Sequence, residues 1–540
     1  ETDFTISGST LVFTTAPVAN TTFFAVIFGD MQAVGTPSDG TVLPVSIATG
    51  LDFTFNSVTV GKGANSVATN TVLGLDALDA AVTGGANTAI GNNALSSNTS
   101  GGSNTAVGYN ALQDNTTAFA NVAVGQQALQ RCTTGGSNVA VGGTGPLQNN
   151  TSGTGNVAIG NSALLSNTSA SDNVAVGKNC LLLNTTGALN TAVGSSALDA
   201  NTTGSSNSAF GHNSLTANTT GYNNVGLGQE ALRQNTQGFE NVSVGRASME
   251  ENTTGDHNVA VGNKALQKNT TADDNTAVGN FALNQNTTGT QNVAVGSTSL
   301  DSNTTGANNV SIGHTAMESN TTGQRNVAIG SHTLDAGNGS FNVAVGHNSL
   351  TASTASNNTA VGYQSLLANT TGTDNVAVGP GALDANTTGS YNIGIGKDTL
   401  GAATTASFNV GVGNGALKVA TTGDSNIGIG AGALFVNTTG DDNVAIGRAA
   451  LSSNTTASNN TAVGRDALLS NITGTANVAV GANSLDANTT GNNNVGVGNS
   501  SLGANTTGAA NTGLGIGTLA ATTTGNHNTA IGYNALNDNT

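Results

Sequence analysis

Six histidines, His212, His257, His314, His332, His347 and His527, are the first residues to weigh as metal ligands or proton carriers. They are spread over separate stretches of a repeating chain, without the paired spacing of a metal site. Polysaccharide-cleaving chemistry needs two carboxylates about 5 to 9 Å apart. The acidic residues here are scattered over variable positions, and the two adjacent pairs, Asp273-Asp274 and Asp441-Asp442, fall in turns, where they read as solubilising surface charge. The only cysteines are Cys132 and Cys180, too few for a zinc cluster or a disulfide framework. No nucleophile elbow in a strand-to-helix setting and no phosphate-binding loop is present. The expectation is a protein that is not an enzyme and uses no metal or cofactor.

Composition points the same way. In 540 residues there are 75 glycines, no tryptophan and only 8% charged residues. The balance of 12 basic against 29 acidic residues gives a net charge of −17, which disfavours nucleic acid and anionic membranes as partners. The longest apolar run, Phe23–Phe28, is far too short to cross a bilayer, so no membrane insertion is expected.

What would position any side chain is a repeat. A glycine closing a short apolar run recurs as Gly91, Gly108, Gly125 and Gly142, then as Gly160, Gly177, Gly194 and onward to Gly532. The step is 17 residues almost throughout, with one interval of 18 (Gly142 to Gly160) and two of 16 (Gly330 to Gly346 to Gly362). Such a unit is too short for helical repeat families, which need roughly 33 residues or more. Its alternating β-branched segment, bounded by Gly and Asn, suits one coil of a parallel β-solenoid with two short strands and two turns. Counting back to Gly74 gives about 28 coils. At about 4.8 Å per coil these make a rod of roughly 130 Å. The fold class is therefore all-β, a β-roll over residues 61–540 preceded by a small β domain over 1–60.

Each column of the repeat has its own chemistry. Four residues before the closing glycine stands an unvarying asparagine, as in Asn104, Asn121, Asn138, Asn173 and Asn258. Asparagine accepts left-handed backbone angles, bonds its own backbone in turns and can stack into a hydrogen-bonded ladder. The alternative use is an array that binds ligand. The next column is Val or Thr (Val122, Val139, Thr191), and the one before the glycine is apolar (Val124, Ile159, Phe210). These two share a face and are expected to form the core, with the column four residues after glycine: Leu112, Leu129, Leu164, Met249, Met317 and Leu536. Pro146 and Leu147 shift that column in the 18-residue unit.

Between the two β-branched columns the residue is Ala, Gly or Ser in nearly every unit: Ala123, Ala140, Ala192, Gly226, Ser243, Gly394, Gly428. Alternation turns this column opposite to the valines. Pointing outward, it would mark the close approach of another backbone, most simply a second copy around a three-fold axis. Otherwise it lines the tightest part of a narrow single-chain roll. The Asn-Thr-Thr-Gly column tolerates Cys132, Ser353, Ala403, Ala420 and Thr522 in place of Asn, as an exposed turn would. Its asparagines, among them Asn115, Asn184, Asn201, Asn303 and Asn386, are either turn caps or acceptors for N-linked glycans. Cys132 and Cys180 read as substitutes in the Asn column and in an Ala column.

The first sixty residues depart from the repeat. Short apolar runs, Thr10–Thr15, Phe23–Phe28, and then Leu51, Phe53, Phe55, Val58 and Val60, alternate with turn residues. They are expected to cap or attach the rod, whose open end would otherwise expose strand edges. The sequence stops inside a unit, at Asn537–Thr540, and docking of the amino-terminal domain on that end would build a head-to-tail polymer.

Gly8–Pro17, Phe24–Gly29 and Pro37–Val42 resemble amino-terminal segments of tail-fibre proteins of tailed, especially aquatic, bacteriophages, and the Asn104–Leu112 unit is similar to repeats in those fibres. The Asn-Val-Ala-Val-Gly core is similar to head repeats of trimeric autotransporter adhesins. The second resemblance implies a left-handed β-roll assembled as a homotrimer. Together they imply an extracellular or virion fibre whose partners are itself and cell-surface glycans. The variable turn aromatics Tyr222, Phe239, Phe341, Tyr391 and Phe408 either contact such glycans or only shield the turn. A self-assembling filament is the alternative. An ice-binding solenoid fits less well, because adjacent threonines point to opposite sides.

Overall fold

The computed structural model describes residues 4–7, 10–13, 52–55 and 57–538. Strands β1 (Phe4–Ser7) and β2 (Thr10–Phe13) form an antiparallel hairpin, with Phe4 opposite Phe13. The segment Phe23–Phe28 lies outside the described residues. A second hairpin, β3 (Phe53–Phe55) and β4 (Val58–Gly61), pairs antiparallel with β5 (Thr71–Gly74), the first strand of the repeat. This hairpin therefore occupies the sheet edge that the first coil would leave open.

From β5 the sheet is parallel throughout. It continues through β6 (Thr88–Ile90), β7 (Thr105–Val107), β8 (Val122–Gln126), β9 (Val139–Thr144), β10 (Val157–Ile159) and β11 (Val174–Val176) to β32 (Thr529–Ile531). Each coil contributes one strand, nearly always of three residues, paired in register with the same column of the next: Ala175 with Ala192, Val176 with Val193. The second strand expected in each coil is absent among the described residues. That part of the coil is a chain of turns whose backbone still bonds from coil to coil: Leu112 N–H donates to the Ala128 carbonyl at 3.0 Å, and Asp114 N–H to that of Gln130 at 2.9 Å. The 18-residue unit is absorbed by a bulge between β8 and β9, where Gln126 pairs with Thr144, and Leu147 fills the leucine site of its coil.

Backbone strain is built into every coil. The leucine column is left-handed (Leu129 at φ 52°), which costs a non-glycine residue about 1–2 kcal/mol. Full burial of that leucine stabilises by about 1.5–3 kcal/mol and so outweighs it. The closing glycine has no such substitute. At Gly108 φ is +138°, and a Cβ there would lie 2.4 Å from the Gly125 carbonyl oxygen of the next coil.

Candidate functional site

The strand face decides which columns meet solvent, and it reverses the expected orientation. Ala123, Ala140 and Ala192 are fully buried inside the coil, with Ser243 beside them in the same column. The flanking Val, Ile and Thr side chains point outward, partly exposed. The cause is volume. A Cβ on Gly394 would sit 3.4 Å from Cδ1 and Cγ of Leu383, so the leucine column already fills the interior opposite the strand. Beyond the first coil, where Val72 holds this place, the column is only Ala, Gly or Ser, and Ser243 meets its polarity by donating to the Ser248 carbonyl at 2.8 Å. The small column thus lines a narrow single-chain roll and does not contact another backbone.

The outward face is consequently an apolar stripe. The column before the closing glycine contains only Val, Ile, Leu and Phe from β5 to β32, and its partner column only Val, Ile, Thr and Ser. Leu227 is 47% exposed and Ile395 40%. The two margins of the stripe carry opposite charge. Directly after the glycine stand exposed Lys178, Arg246, Lys397, Arg448 and Arg465, with no acid in that column. On the opposite margin, one or two residues before the invariant asparagine, stand nine acids and one base, Arg325; among the acids are Asp172, Glu240, Asp274, Asp424, Asp441 and Asp442.

Both asparagine columns are interior. In the unvarying one, Asn121 N–H donates to Oδ1 of Asn104 at 3.0 Å, and Asn121 Nδ2 donates to the Gly135 carbonyl at 3.0 Å. Asn138, Asn173 and Asn258 repeat the first bond at 2.9, 3.0 and 2.9 Å. The left-handed residue is the one before each asparagine (Ala120 at φ 57°, Asp172 at φ 58°), so asparagine is there for its two-ended hydrogen bonding, not for its own backbone angles.

The Asn-Thr-Thr column is equally buried, which corrects its reading as an exposed turn. Asn115, Asn184, Asn201, Asn303 and Asn386 are all 0% exposed. Each Nδ2 donates along the column, as Asn184 does to Oδ1 of Asn167 at 3.1 Å and Asn303 to Oδ1 of Asn286 at 2.8 Å. A glycan on any of these nitrogens has no room in the folded coil. Cys132 takes the same place, its Sγ against the Gly135 carbonyl at 3.1 Å, and Cys180 stands in the column beside leucine, against the Ala192 carbonyl at 3.1 Å. Burial pushes the Cys132 thiol up to about 11 and the Cys180 thiol up to about 12. Both are free.

Stacking also gathers residues that look scattered in sequence. Tyr222 stacks on Phe239 with ring centres 4.8 Å apart, and Tyr391 on Phe408 at 5.1 Å. His314, His332 and His347 fall on three consecutive coils, with ring centres 5.8 and 6.0 Å apart, although 18 and 15 residues separate them in sequence. Separation by about one repeat was the signal for this proximity. Among the described residues no three His, Cys, Asp or Glu side chains form a ready-made metal cluster, and no helix is long and apolar enough to cross a membrane. No protein-family model and no curated protein matches the chain.

Proposed function

We propose that the chain is a non-enzymatic structural fibre, a stiff rod whose apolar stripe is covered by further copies of the same chain. The observation that carries this is the uncharged, partly exposed double ladder along the strand face. A face left in solvent would accept Lys or Glu in some of so many repeats. The stripe runs unbroken from β5 to β32 with two side chains per coil, a contiguous apolar face of the kind that marks an interaction surface. Only a partner with the same axial repeat can follow such a ladder over its whole length, and a second copy has that repeat by construction.

The margins support a parallel, in-register arrangement. Lys178 and Asp172 sit on one coil, as do Arg246 and Glu240, and Arg448 and Asp442. Rotating one copy about an axis along the rod brings the basic margin of each chain against the acidic margin of its neighbour, and a closed ring of three satisfies every stripe. The phage-fibre and adhesin resemblances agree with a homotrimer at an extracellular surface or on a virion. The exposed aromatic stacks at Tyr222–Phe239 and Tyr391–Phe408 would then serve recognition of cell-surface glycans.

Sedimentation velocity, with cryo-electron microscopy of the rod in cross-section, tests the reading. Three chains packed stripe to stripe are expected. A monomer at micromolar concentration with the stripe in solvent would overturn it.

A further inference from the structure

We infer that His332 and one histidine on an adjacent coil, His314 or His347, form a two-histidine clasp for a divalent transition-metal ion of the Cu²⁺, Ni²⁺ or Zn²⁺ class. Two imidazoles sharing one ion through nitrogens at about 2.0–2.1 Å place their ring centres about 5–6 Å apart. The ring centres of His314 and His332 are 5.8 Å apart, and those of His332 and His347 are 6.0 Å apart. The coil spacing that sets these separations is fixed by the sheet, so the pair is preorganised along the rod. His314 and His347 are exposed and His332 partly so, which leaves solvent to complete the coordination.

Hydrogen bonding fixes which nitrogen is offered. The Thr315 hydroxyl has a single proton, and it donates that proton to the His314 carbonyl at 2.7 Å. We assign its 2.8 Å contact with His332 Nδ1 to the tautomer in which Nδ1–H donates to the hydroxyl oxygen. Nε2 of His332 then keeps its lone pair and is the free ligand atom. This is the arrangement in which a second hydrogen bond sets the tautomer of a metal-binding histidine. Asp335 adds negative charge beside His332, and its Oδ1 is buried without a hydrogen-bond partner. No such neighbour on an adjacent coil exists for His212 or His527, and His257 lies between Glu240 and Asp274.

The test is titration of the purified, tag-free chain with Cu²⁺, Ni²⁺ and Zn²⁺ by calorimetry, with electron paramagnetic resonance of the Cu²⁺ form. One bound Cu²⁺ with nitrogen ligands is expected. His332→Gln should weaken it at least about tenfold and remove the two-nitrogen signature, while His257→Gln leaves both unchanged. Thr315→Val should weaken binding and Thr315→Ser restore it, with melting temperatures confirming that each variant is folded. Copper that binds without nitrogen ligation, or binds equally to the His332→Gln chain, would overturn the proposal.

Discussion

Asn115 and Cys132 occupy the same buried column one coil apart, and Oδ1 of Asn115 has no hydrogen-bond partner because a thiol stands where the next asparagine would donate. The same break follows Asn386, whose successor in the column is Ala403, and Asn320, whose successor is Gly337. Oδ1 of Asn505, followed in the column by Thr522, is likewise without a partner, whereas uninterrupted stretches bond from coil to coil, as from Asn201 through Asn218 at 2.9 Å and Asn235 at 2.8 Å. Replacing the odd residue should close the gap. Cys132→Asn is expected to stabilise its coils by about 1 kcal/mol, since it supplies a donor to a buried acceptor. Ala403→Asn together with Ala420→Asn should act likewise, since Asn437 stands next in the column to donate to the new amide. Amide hydrogen exchange across the coils on either side would show slower opening. Unchanged or faster exchange would mean that the gap costs nothing.

The two faces of the strand should respond oppositely to substitution. Ala192→Leu forces a larger side chain into a filled interior and should destabilise the rod by about 1–3 kcal/mol or more. Val193→Lys, one residue on, should leave the melting temperature of the isolated chain nearly unchanged while reducing self-association. Melting curves and sedimentation of the two variants separate the effects. If Ala192→Leu were harmless and Val193→Lys unfolded the rod, the strand orientation described above would be wrong.

The period, the closing glycine, the leucine core and the stacked asparagines were legible because each column repeats a residue type with one physical use. The sign of the strand face was not. Alternation requires Ala123 and Val124 to point opposite ways but does not say which points in, and both columns are apolar. Volume carried the missing information: a coil of 17 residues that already buries a leucine has no space for two β-branched rows as well. The same logic applies to the Asn-Thr-Thr column. Its substitutes include Cys132, Gly337, Ser353, Ala403, Ala420 and Thr522, all small and none charged, which marks an interior site and not an exposed turn.

Charge on the stripe margins should set the register of assembly. Arg448→Glu with Arg465→Glu places acids against the acidic margin of a neighbour and should weaken association, most strongly at low salt. Adding Asp441→Lys and Asp442→Lys to the same chain should restore it. Association measured by sedimentation that ignores both changes would remove the margins from the interface.

Acid should stabilise the rod. Asp199, Asp301, Asp335, Asp384 and Asp486 share one column, five residues after the closing glycine, and burial raises the pKa of each above the ordinary aspartate value of 3.8. The folded chain therefore holds these protons more tightly than the unfolded one. Their contribution is fully present below the ordinary value and is lost as pH rises through the raised one. The melting temperature is expected to climb as pH falls from 7 toward about 4. Replacing several of these aspartates by asparagine should flatten the profile. A melting temperature that falls over this range, with those residues intact, would contradict the assignment.

The two thiols give the sharpest readout of whether the interior is closed. Burial holds Cys132 at about 11 and Cys180 at about 12, against an ordinary thiol value of 9.0. Only the thiolate attacks a disulfide reagent, so both should be silent in the native rod at pH 8 and both should react once the chain is denatured. Raising the pH works against folding here. An unfolded thiol ionises near 9.0 while the folded one stays protonated, so stability falls from that point up to the folded values. Counting reactive thiols over time at pH 8 measures how often a coil opens. Rapid labelling of either cysteine in the native chain would show that its coil is not packed as described, and slow labelling at the rate of global unfolding would show that the rod opens only as a whole.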